Sequence, residues 1–168
     1  MNNGGLVTIA LLLPNLLWVL FPSKSKTSGE TNLTNPPNLE LQILERIGQF
    51  GCFLLPFFYN LHIQTGSDRI FFVLLLAALL TYYTVWLRYF IKGRKQVWMY
   101  RNLGPLPLPL TICPLLCFLL ASILFQSILL AAAVVIFGSG HIYNGIIERK
   151  QAEQLYSSNE SALGSKKQ

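Results

Sequence analysis

"LPLPLTICPLLCFLLASILFQSILLAAAVVIFGSGH" (residues 106–141) contains no Asp, Glu, Lys or Arg. A helix crossing a bilayer takes about 20 apolar residues. The run is therefore too long for one crossing and suits two. Its polar break is "LFQS" (124–127), so the sequence predicts spans over 106–125 and 128–147, joined by a tight hairpin at Gln126 and Ser127. Working outward from that pair, three more apolar blocks appear at 6–21, 47–63 and 70–91. Backbone groups cannot stay unpaired in lipid, so each block is expected to be helical. The expected fold is an all-α integral membrane bundle of about five transmembrane helices, forming one domain over residues 1–150.

Composition agrees with that class. Of the 168 residues 52% are hydrophobic and 12% charged, and the mean hydropathy is +0.46. A soluble domain carries about 25% charged residues. The cations then set orientation. With five spans, twelve of the thirteen Lys and Arg residues fall on one side, and Arg69 alone falls on the other. The positive-inside rule puts the N-terminus out and the C-terminus in. Four spans would send the tail cations outside. The location expected is the plasma (inner) membrane, in a multi-pass arrangement. The net charge of +6 follows from this bias and from attraction to membrane lipids, with no nucleic acid required.

Between the first two blocks, "SKSKTSGETNLTNPPN" (23–38) reads as a polar, turn-rich connection ended by Pro36 and Pro37. "MNNGG" lacks the basic region of a signal peptide, and Pro14 interrupts the first apolar block. Residues 151–168 are Ser-, Asn- and Lys-rich and are expected to form a disordered cytoplasmic tail. No internal repeat supports an inverted-repeat transporter.

The polar residues inside the blocks carry the functional expectation. Glu45, Gln49, Cys52, Pro56 and Tyr59 recur at helical spacing and share one face, flanked by Gly48 and Gly51. The last block aligns Gly138, His141, Gly145 and Glu148 on a stripe with Asn144 beside it, and Asn15 and Trp18 fall at the same level. These residues predict a polar layer in the cytoplasmic half of the bundle. Ionisable groups in spans are costly and face the bundle interior. Tyr82, Tyr83, Trp86, Tyr89 and Trp98 read first as an interfacial aromatic belt. Cys52, Cys113 and Cys117 lack zinc-ligand spacing and read as packing residues, so no metal is expected. The sequence has no Walker loop, dinucleotide fingerprint or nucleophile elbow, and no cofactor is expected.

Three phrases, "LERIGQFGCF" (44–53), "WLRYFIKGR" (86–94) and "GHI" (140–142), together resemble a family of small multi-spanning bacterial membrane proteins. The likeness runs to about Lys150. It implies the same topology, draws attention to Glu45, Arg88 and His141, and brings no activity with it. That family commonly has an arginine after the Ile-Gly pair, where this chain has Gln49.

The expected function is a cytoplasm-facing pocket that binds or acts on a hydrophobic small molecule, an isoprenoid or a lipid. Glu45, His141 and Glu148 are the expected acid–base groups, with Glu45 a general acid raised by burial in the manner of integral-membrane terpene cyclases. Asn15, Trp18, Arg46, Gln49, Trp86, Arg88, Tyr89 and Asn144 are expected to bind the molecule, the arginines meeting an anionic or hydroxylated head. The competing expectation is a non-enzymatic membrane accessory, an immunity-type protein or a subunit of a larger complex.

Overall fold

A computed structural model describes residues 3–21 and 39–165, the side chains at positions 18 and 158–165 excepted. The connection read at 23–38 lies outside the described residues. Among the described residues six α-helices follow in order: α1 (Gly5–Leu20), α2 (Leu39–Leu54), α3 (Gly66–Ile91), α4 (Val97–Tyr100), α5 (Pro109–Leu124) and α6 (Ile128–Ser165). A 3-10 turn over Leu55–Phe58 closes α2. No strand occurs among the described residues, so the chain is all-helical.

The hairpin at Gln126 forms, and its hydrogen bonds explain how so short a turn is possible. Ser127 N–H donates to Ser122 O at 2.9 Å and Gln126 N–H donates to Ile123 O at 3.0 Å. This pair is a Schellman motif, with Gln126 in the left-handed position at φ 52. Ser127 then caps the next helix, its Oγ accepting from Leu130 N–H at 3.2 Å. Helix α3 ends the same way, with Gly93 at φ 77 and Arg94 N–H donating to Tyr89 O at 2.9 Å.

Helices α2 and α6 run antiparallel and pack more extensively than any other pair. Glycine makes this possible. A Cβ at Gly48 would stand 2.2 Å from Phe137 N, and one at Gly140 would stand 2.4 Å from Leu41 O. Helix α3 lies against α5 on the far side, and α1 fits over the gap.

The molecule has two distinct ends. At the hairpin end, Gly4 N–H donates to Tyr59 O at 3.1 Å, and the Tyr59 ring stacks on Phe125. At the other end lie Phe21, the start of α2, the segment 92–108 and the middle of α6. Among the described cations, Arg69 alone sits at the hairpin end. The rest belong to the other half, called here the cation-rich end.

The five-span expectation is met in part, and two others change. Two helices are long and apolar enough to cross a membrane: α3, and residues Ile128–Ser157 of α6, whose 18-residue apolar windows have mean hydropathies of 2.2 and 1.6. Helices α1 and α5 have 16 residues each. The block at 47–63 is no single helix. Pro56 lies in the 3-10 turn, and 59–64 is irregular, because proline removes a donor and stops the α-helical ladder. Helix α6 continues past the expected end at 147 to Ser165, so 151–165 is helical where a disordered tail was expected.

Candidate functional site

The close α2–α6 approach lays Glu45 across α6. His141 Nδ1 lies 2.7 Å from Glu45 Oε1, and Asn144 Nδ2 donates to Glu45 Oε2. An ionised carboxylate only accepts, so Nδ1 donates, and a neutral ring then keeps its lone pair on Nε2. Phe137 stacks on the imidazole with centroids 4.5 Å apart, which fixes the ring plane. Both Glu45 oxygens therefore serve as acceptors. This geometry works against Glu45 as the group that delivers a proton, and suits it to orienting His141.

His141 lies in the wall of a cavity of about 460 Å³ between the helices. Helix α1 contributes Leu12, Asn15 and Val19, α2 contributes Gln49 and Phe53, and α3 contributes Tyr82 and Trp86. Gln96, Met99 and Tyr100 close it from the α4 side, with Leu110 and Pro114 of α5. Helix α6 adds Phe137 and Glu148 beside His141. A second, more polar cleft of about 390 Å³ separates α2 from α6 further out, and includes Gln42, Glu45, Arg46, Asn144 and Gln151. Gln49 and Glu148 border both spaces. Glu45 thus faces the outer cleft, and the ring it holds faces the inner cavity.

The Tyr100 hydroxyl donates to Glu148 Oε2 at 2.6 Å. Burial, and then the neighbouring Glu148 charge, push the Tyr100 phenol well above its ordinary range, so it remains a donor at neutral pH.

Most of the expected polar residues meet around these two spaces. Asn15 accepts from Tyr82 Oη at 3.2 Å and donates to Leu11 O at 3.4 Å, so its amide is held at the cavity wall. Trp86 lines the cavity, and its Nε1 is buried without a hydrogen-bond partner. Arg46 is exposed and reaches only the outer cleft. The Trp18 side chain lies outside the described residues.

Arg88 and Tyr89 serve the scaffold instead. Arg88 donates to Asn102 O at 2.9 Å and to Arg101 O at 2.5 Å, tying the segment after α4 to α3. Tyr89 is fully buried, with its hydroxyl donating to Phe21 O at 3.4 Å. Neither lines the cavity.

The belt expectation also changes. Tyr82, Trp86 and Tyr89 are all buried, and their spacing of four and three residues placed them on one helix face. That spacing was the available signal for Tyr82. Tyr100 and Gln96 carried none, because they sat in what read as a loop. Cys52, Cys113 and Cys117 are buried free thiols, and no group of His, Cys, Asp and Glu suited to a metal ion occurs among the described residues.

No family model, curated protein or solved structure matches this chain, so its own residues must carry the functional reading.

Proposed function

We propose that this chain is a multi-pass cell-membrane protein whose inner cavity binds a hydrophobic small molecule, with His141 as the polar group that meets it. The observation that carries the reading is the Glu45–His141 pair at the wall of a cavity otherwise rich in apolar and aromatic side chains. Pockets of this size and lining suit small amphipathic ligands.

The membrane half of the proposal draws on what the helices expose. Leu6, Ile9 and Leu16 of α1, Ile47 and Phe50 of α2, Ile70, Val73 and Leu80 of α3, and Ile128 and Val135 of α6 all face outward. Water-soluble monomers rarely carry apolar surface on this scale. The cations gather at one end, as the positive-inside rule requires for five passes with the N-terminus out. At 16 residues α1 and α5 reach roughly 24 Å. That is short of the roughly 30 Å hydrocarbon layer, a mismatch that bilayers absorb by local thinning.

Any acid–base step on the bound lipid or isoprenoid would run through His141 Nε2, since Glu45 is engaged behind it. Native mass spectrometry of the detergent-purified protein tests the binding reading. A co-purifying small amphiphile, reduced in His141→Ala, is the expected result. Protein that carries no such molecule but retains a stoichiometric protein partner would favour the accessory or complex-subunit alternative.

A further inference from the structure

The chemistry of the cavity wall narrows the class of molecule, resting on the reading that the cavity is a binding site. Phe53, Tyr82, Trp86, Tyr100 and Phe137 bring five aromatic rings to one space. Glu148 brings a carboxylate to the same space. Among the described residues no lysine or arginine lines it. Arg46 opens onto the outer cleft, and Arg88 is spent on two backbone carbonyls. The two arginines expected to receive an anionic head therefore lie elsewhere.

Aromatic faces carry negative potential and attract organic cations, more strongly where water is excluded. A carboxylate adds a full charge of the same sign. It still has acceptor capacity after taking the Tyr100 hydrogen bond, because its two oxygens offer about four lone-pair sites. An anionic head would meet the Glu148 charge with no described lysine or arginine at the wall to offset it.

We infer that the inner cavity selects a lipophilic organic cation, with its charge between Glu148 and the aromatic rings and its apolar substituents against Leu12, Val19 and Leu110. The ligand class is thus a hydrophobic ammonium or phosphonium in preference to a phosphorylated isoprenoid.

Tetraphenylphosphonium and tetraphenylborate share shape and size and differ in the sign of charge. Equilibrium dialysis of the purified full-length protein against each, with protein-free micelles as blank and geranylgeraniol as a neutral hydrophobic probe, separates the possibilities. The phosphonium should bind at least about tenfold more tightly than the borate, a margin in keeping with one carboxylate and several rings. In Glu148→Gln that preference should narrow. Equal binding of the two ions, or preference for the borate, overturns the cation assignment, and bound geranylgeraniol in the same experiment would leave the cavity standing as a binding site. If none of the three binds, the binding-site reading and the cation assignment fail together.

Discussion

The hairpin end and the cation-rich end of the molecule solve different problems with the same helices. At the hairpin end the polar groups close on their own chain. Gln126 and Ser127 finish one helix and start the next, and Thr65 and Asp68 form a reciprocal capping box on α3. His62 N–H reaches Leu124 O at 3.4 Å. These are backbone and cap bonds. At the cation-rich end, side chains bond between separate elements instead: Glu45 to His141 and Asn144, Tyr100 to Glu148, and Arg149 to Asn102 in the segment after α4. Such bonds hold groups at chosen positions around an open space. The comparison teaches that one end closes on its own backbone while the other holds side chains around an open space.

Substitutions that attack the two ends should differ in kind as well as size. The largest effect is expected from Gly48→Leu. Its Cβ alone would collide with the Phe137 backbone, and backbone cannot yield as a side-chain tip can. A loss upwards of about 3 kcal/mol follows, read as disappearance of the monodisperse peak in size-exclusion chromatography. Gly66→Ala at the hairpin end meets no atom within 4 Å and should leave that peak unchanged.

Next comes Glu45→Ala, which strands His141 Nδ1–H and the Asn144 amide together. With both groups partly exposed, a cost of about 2 kcal/mol is expected, seen as a lower thermal unfolding midpoint. Tyr100→Phe should cost about 1–2 kcal/mol by removing the bond to Glu148. It also has a pH signature. The folded phenol titrates above its unfolded value of about 10, so the stability it confers is complete below that pH and is lost as pH rises further. The variant should therefore lose less stability on alkaline titration than the parent. The smallest effect belongs to the hairpin end, where Thr65→Ala removes a cap worth about 1 kcal/mol.

Periodicity and charge made the hairpin and the polar layer legible. Gln126 and Ser127 were the polar break in an uncharged run, and Glu45, His141 and Asn144 fell on facing stripes because helical spacing alone aligns them. What periodicity could not reach is tertiary. Nothing local distinguishes Arg88 as a clamp on the Asn102 and Arg101 carbonyls from Arg88 as an anion receptor. The sequence around Tyr100 is too short and too mixed to declare the single turn of α4, whose burial depends on α3, α5 and α6 already being in place. Pro56 was visible, but whether a proline kinks a helix or ends it depends on what covers the freed carbonyls. Here the chain turns into a 3-10 segment and the Tyr59 carbonyl pairs with Gly4 N–H.

We propose that the closed end faces out and the cation-rich end faces the cytoplasm. Single cysteines at Ser67 and Ser157, placed in a chain whose Cys52, Cys113 and Cys117 are replaced by alanine, test it in intact cells. An impermeant maleimide should label position 67 directly and position 157 only after the membrane is opened. Labelling of position 157 from outside would contradict the account, because α6 would then carry His141 and Glu148 to the outer face.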